Sequence, residues 1–177
     1  MNGNCEACGL YATRKNTVWF RGSDHPDVLL IGEAPGEEED IQGLPFVGKS
    51  GKLLDRMLEQ SGITNFTVVN VVKCRPPRNR KPNQLEINMC APFLKEQLSD
   101  LHPKLIVCLG ATALNWFFPD TGVTRAVIET SERFKYYNSI YGKVMVVFHP
   151  SYVLRGSMKE SDYLELFQVI KCVLEEI

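Results

Sequence analysis

Glu33 opens an acidic run that continues with Glu37, Glu38, Glu39 and Asp40, and one large aromatic, Phe46, follows between Pro45 and Val47. A carboxylate beside an aromatic platform suits chemistry on a flat ring, because the ring face can stack on it. Asn70 interrupts the apolar run VVNVV, where an apolar residue would pack better, and a buried amide must find partners. His149 directly follows another apolar run, in His-Pro-Ser, and a neutral imidazole can donate a hydrogen bond.

Cysteines form a second constellation. Two residues separate Cys5 from Cys8, and fifteen separate Cys74 from Cys90. One Cys-x-x-Cys pair can be a redox motif, but two further distant cysteines have no place in one, whereas a metal site would use all four. Zinc and a [4Fe-4S] cluster both accept four thiolates, and the spacing does not choose between them; composition alone favours zinc. Cys108 and Cys172 read as small buried hydrophobes.

The elements that must carry these residues follow from the apolar pattern. Val28 to Ile31 is a continuous apolar run that stops at Gly32, the mark of a buried strand, which we place at 27–32. Further strands are expected at 66–72, 104–109 and 143–148, with helices at 49–61, about 84–101, 111–118 and about 158–176. Gly62 is a usual helix stop. Residues 33–48, rich in Gly, Pro and carboxylates, read as a loop; 126–129 is a possible strand, and 13–23 reads as a strand or hairpin. Alternating strands and helices predict an α/β domain: a central parallel four-stranded sheet with helices on both faces. In such sheets ligands gather at the carboxyl ends of the strands, where Glu33, Asn70 and His149 all fall.

At 177 residues the chain is one domain of ordinary size, with no repeats or low-complexity segments. Its 44% hydrophobic and 23% charged residues are those of a soluble globular protein. No apolar stretch approaches a membrane span and the first residues are no signal peptide, so a cytoplasmic, monomeric protein is expected. Net charge is −1, so any affinity for nucleic acid must come from a local patch. Lys73, Arg75, Arg78, Arg80 and Lys81 supply one, with no acid between them.

Residues 43–50, GLPFVGKS, fit the P-loop expression of a nucleotide-binding ATPase, but the context argues against that reading. A phosphate-cradling loop follows its strand directly, whereas here the strand ends about ten residues earlier, and Pro45 removes an N–H such a loop needs.

GEAPGEEED followed by GLPFVGKSGKLLD resembles the first motif of the uracil-DNA glycosylase superfamily, specifically its iron-sulfur family 4. The likeness continues in NVVKCRPPRNRKP and HPSYVLR and, with CEAC near the start, spans most of the chain. It implies a three-layer sandwich fold and a [4Fe-4S] cluster on Cys5, Cys8, Cys74 and Cys90, a structural staple, with zinc the second candidate. It also implies single- or double-stranded DNA containing uracil as substrate, and hydrolysis of the N-glycosidic bond without covalent attachment.

Such a reaction needs a base out of the stack, a water near C1′ and stabilisation of the leaving base anion. Phe46 is expected to stack under the flipped pyrimidine. Asn70 can accept from uracil N3–H and donate to O4, the reverse of what cytosine offers. His149 can donate to O2. Ala34 stands where the commonest branch of the superfamily has an Asp, so Glu33 and Glu39 remain as candidates to place the water or balance charge on the sugar. Ala34 and Asn79 match family positions at the substrate. Arg75, Arg78, Arg80, Lys81 and Ser151 are expected on phosphates, and Leu154 with Arg155 resembles the wedge that fills the gap left by the flipped nucleotide. The absence of an Asp at position 34 also admits a catalytically silent nucleic-acid-binding module on the same fold.

Overall fold

The computed structural model describes residues 5–132 and 135–177. A 3-10 turn at Gly9–Ala12 precedes β1 (Arg21–Gly22), β2 (Val28–Gly32), α1 (Glu37–Gln42), α2 (Lys49–Ser61), β3 (Phe66–Asn70), a 3-10 turn at Pro77–Asn79 and α3 (Gln84–Leu101). Then come β4 (Leu105–Leu109), α4 (Ala111–Phe117), α5 (Val123–Glu132), β5 (Tyr137–Ser139), β6 (Gly142–Val147), α6 (Pro150–Leu154) and α7 (Glu160–Glu176).

The strands form one sheet in the order β1-β3-β2-β4-β6-β5. Its four central strands are parallel, as the apolar runs require, but β1 and β5 extend it to six as antiparallel edges. Both extra strands are too short and too polar to show a period. Each central strand is buried on two faces, and alternation sorts its side chains. Val28, Leu30, Val68, Val107 and Val147 pack on one side with Leu53 and Met57 of α2 and Tyr163 and Phe167 of α7. Leu29, Ile31, Val69, Ile106 and Val146 pack on the other with Leu94 of α3, Leu114 of α4 and Ala126 of α5. The result is a three-layer sandwich.

Four local readings need correction. Residues 126–129 lie inside the helix α5; Ala126 and Val127 are buried, and Thr130, one turn on, bonds back to the Ala126 carbonyl, so the spacing is helical. The acidic run is not all loop, since 37–42 form α1, where four carboxylates in the first turn suit the positive end of the helix dipole. Lys73 is not part of the exposed basic patch: it is 1% exposed, and its ammonium donates to the Asn70 carbonyl oxygen and to Gln97 Oε1. Burial pulls that ammonium down to about 7. Cys172 is exposed rather than buried, while Cys108 is fully buried.

Register sets the site. Gly32 of β2 lies opposite Asn70 of β3, and Leu109 of β4 opposite Val147 of β6, so all four strands end at one level. The chain leaves β2 for β3 on one side and returns past it to β4 on the other. That makes β2–β4 a switch point, where the connections diverge and a crevice opens.

Candidate active site

A cavity of about 170 Å³ opens at this end of the sheet. Glu33, Ala34, Glu39, Phe46, Asn70, Asn79, Arg80 and His149 all line it, so the three strand tips meet over one aromatic floor.

Phe46 is 6% exposed, and its ring centroid lies 5.8 Å from that of His149 with planes inclined at 40°. Its backbone is left-handed, φ 55°, a conformation that costs a non-glycine residue on the order of 1–2 kcal/mol. Two glycines permit it. A Cβ on Gly51 would lie 1.8 Å from the Phe46 carbonyl oxygen, and one on Gly32 would lie 2.5 Å from both the Phe46 ring and Asn70 Oδ1. Arg21 locks the turn by donating to the Pro45 and Phe46 carbonyls.

Asn70 is 1% exposed, and its Oδ1 is a fully buried acceptor with no donor among the described residues. Leaving such an atom unpaired costs about 1–3 kcal/mol, so a partner from outside the protein is the physical expectation.

His149 caps α6. The Ser151 backbone N–H donates to His149 Nδ1 at 3.2 Å, and the Ser151 hydroxyl lies 2.9 Å from the same nitrogen. Arg155 in turn donates to that hydroxyl oxygen at 2.9 Å. An Nδ1 that accepts a backbone N–H carries no proton, so the neutral ring holds its hydrogen on Nε2. Burial, reinforced by the Arg155 charge, pulls the imidazole down to about 4 against a smaller opposing pull from Glu39. The ring is therefore a neutral Nε2–H donor at physiological pH. Ser151, expected on a phosphate, and Arg155, expected in the wedge segment, stand here as the groups that orient it.

The two candidate carboxylates are held differently. Glu39 Oε1 accepts from the N–H groups of Val47 and Gly48, at 2.9 and 2.8 Å, and its Oε2 from Gly36 N–H at 3.1 Å. It thereby ties the start of α1 to the Phe46 turn. Glu33 has a single partner among the described residues, the Thr112 hydroxyl, which donates to Oε2 from α4 across the β2–β4 switch. Thr112 could not be found from sequence, since the contact joins positions far apart in the chain. Ser50 and Pro76 also line the cavity unanticipated.

Around the rim, Arg75 donates to Asn79 Oδ1 at 2.7 Å and pairs with Glu37 at 3.5 Å. Arg80 forms a two-pronged pair with Glu86, which caps α3 through Asn83. Arg78 and Lys81 are exposed with no such partner among the described residues, and Leu154 is 49% exposed.

Cys5, Cys8, Cys74 and Cys90 line a second, inner cavity with Leu10, Val72 and Phe93. Two of the sulfurs accept hydrogen bonds, Cys74 Sγ from Arg14 at 3.5 Å and Cys90 Sγ from the Lys73 N–H at 3.3 Å. Burial pushes the Cys74 thiol up to about 11 and raises that of Cys90. Buried thiols with N–H donors aimed at their sulfurs fit ligation as thiolates, since a metal centre takes the negative charge. No three metal-ligating side chains among the described residues are gathered closely enough to hold a single ion.

No described helix is long and apolar enough to cross a membrane. Among known proteins, the family profile described as "Uracil DNA glycosylase superfamily" matches residues 20–171. The chain is 43% identical to the type-4 uracil-DNA glycosylase of Thermotoga maritima over 88% of its own length and 81% of the relative's. It is 36% identical to that of Archaeoglobus fulgidus, over 94% and 86% of the two chains, and 40% identical to that of Saccharolobus solfataricus, over 85% and 72%. A profile that spans the sheet and all three strand tips, with relatives this similar over most of their length, leaves one assignment: the chain belongs to the uracil-DNA glycosylase superfamily, among the type-4 enzymes.

Proposed function

We propose that this protein hydrolyses the N-glycosidic bond of uracil in DNA, leaving an abasic site, and so initiates base excision repair. The observation that carries the reading is the orphaned Asn70 Oδ1, buried in the same cavity as the Phe46 ring and the Nε2–H of His149. A uracil stacked on Phe46 gives that oxygen its missing donor, N3–H, while the Asn70 amide donates to O4. His149 Nε2–H donates to O2, where negative charge collects as the base leaves, and a neutral donor needs no proton transfer.

Glu33 is the residue to hold the water and balance positive charge on the sugar, since only one of its oxygens is engaged, by Thr112. Glu39, engaged by three backbone N–H groups, acts as a positioning residue for Phe46. Cys5, Cys8, Cys74 and Cys90 would hold a [4Fe-4S] cluster, which when bound supplies a structural cross-link between the N-terminal segment, the end of β3 and α3. On the DNA, Arg78 and Lys81, exposed and without an ion-pair partner among the described residues, are the cations for phosphate, with Arg75, Arg80 and Ser151 as further contacts and Leu154 with Arg155 as the wedge.

The test is base release from an oligonucleotide bearing one deoxyuridine, read as alkali-labile sites. Turnover that drops about 10²-fold or more in His149→Ala, with DNA binding kept, is the expected result. Binding without release by the metal-loaded wild-type protein would leave a silent DNA-binding module in its place.

A further inference from the structure

A cavity of about 890 Å³, larger than the uracil site, forms a groove between α3, α4 and the β5–β6 hairpin. We infer that it is the track for the unpaired nucleotides beside the excised one, so that the protein grips its substrate as a single strand. The inference rests on the reading of the crevice as a uracil site and adds to it the path of the strand.

Continuity is the first argument. Thr112, whose hydroxyl holds Glu33 in the crevice, is itself part of the groove wall. Gln84, also in the groove lining, begins α3 directly after the segment that carries the exposed Arg78 and Lys81. The Thr112–Glu33 hydrogen bond therefore joins a residue of the groove wall to one of the crevice wall, which sets the two cavities side by side.

The lining chemistry is the second. Trp116 and Tyr141 are both partly exposed, with ring centroids 5.9 Å apart and planes inclined at 40°, and so present aromatic faces to the groove. Asn115 and Lys95 are exposed beside them, and no carboxylate among the described residues lines the groove although the chain carries 21 Asp and Glu. Aromatic faces that take any base, amides for polar edges, a cation and no acid are the features of a single-strand platform.

Distance is the third. Trp116 lies one helical turn below Thr112 on the same face of α4, a rise of about 6 Å. At ~3.4 Å per stacked nucleotide, that places its ring about two nucleotides from the crevice rim.

The experiment measures kcat and KM for uracil release from single-stranded oligonucleotides in which one flank is kept long and the other is shortened from six nucleotides to one, on each side in turn, with the metal-loaded protein. On one side KM should fall as the flank grows to about four nucleotides, with kcat unchanged, and annealing a complement over that flank should abolish the gain. Trp116→Ala should raise KM roughly 10- to 100-fold on the long-flanked substrate and leave the shortest one unaffected, whereas Trp116→Phe should keep most of the effect. Lys95→Glu, at an exposed position that does not test folding, should raise KM in the same flank-dependent way. If KM ignores flank length on both sides, or if these variants act equally on all substrates, the inference fails while uracil release stands. If no oligonucleotide releases uracil, the reading of the crevice fails instead.

Discussion

Asn70→Asp is the substitution that most directly probes base recognition. In the native site the buried Oδ1 awaits a donor; uracil supplies one through N3–H, and its O4 accepts from the amide nitrogen. Cytosine presents a lone pair at N3 and an amino group at C4, so it mismatches twice. Each buried mismatch costs about 1–3 kcal/mol, which multiplies to a discrimination of roughly 30- to 10⁴-fold. The carboxyl that replaces the amide, when protonated, offers one donor and one acceptor that can exchange places: hydroxyl to O4 with the carbonyl on N3–H for uracil, or hydroxyl to N3 with the carbonyl on the amino group for cytosine. The recognition penalty should therefore nearly vanish.

At a position 1% exposed, with Glu33 in the same cavity, desolvation and a like charge both raise the pKa of that carboxyl. Only its neutral form reads either base, so the variant's activity should fall as pH rises through the raised pKa, a limb that Asn70 cannot produce. The assay is kcat/KM on matched single-uracil and single-cytosine oligonucleotides across acid to mildly alkaline pH. Cytosine is also the poorer leaving group, so the diagnostic quantity is the change in the uracil-to-cytosine ratio relative to wild type. A variant that still rejects cytosine as strongly as the wild type at low pH would refute the assigned contacts.

Glu33→Gln should lower kcat by about 10²-fold or more with little change in thermal midpoint, because one anchored oxygen remains for Thr112; Glu39→Gln should instead cost about 1–3 kcal/mol of stability, since a single amide oxygen cannot serve three N–H groups. Thermal melts paired with turnover would reverse the two roles if the pattern were opposite. His149 ionises at about 4 when folded against 6.5 when unfolded, so the unfolded chain takes up its proton first. Stability from this group is full above pH 6.5 and is lost as pH falls from 6.5 to about 4, by at most about 3 kcal/mol. The gap in melting temperature between wild type and His149→Gln should shift against the wild type over that window, and a constant gap would refute the depressed pKa.

The parts of this molecule that its sequence displays are those where residue type breaks a period. Four apolar runs announce four parallel strands, and the ends of three are marked by residues that packing would not choose: Glu33, Asn70 and His149. What stayed hidden lacks such a contrast. β1 and β5 are too short to alternate, and Thr112 looks like any helical threonine until β4 brings it across to Glu33. Even the left-handed turn at Phe46 is prepared by glycines whose purpose shows only when a Cβ is placed on them.

Lys73 is the instructive error. It breaks the pattern as plainly as Asn70, yet four neighbouring cations made it look like surface. In the fold it is the other half of the same device: its ammonium takes the Asn70 backbone carbonyl oxygen, its own carbonyl oxygen accepts from Val18 N–H, and its own N–H takes a sulfur of Cys90. With the main chain at the tip of β3 tied to the cysteine layer in this way, the Asn70 side chain is spared any structural bond and can keep its oxygen for the base. A strand end can present an unpaired buried acceptor only if something else satisfies its backbone, and here that something is a lysine that charge counting alone would have placed on the DNA.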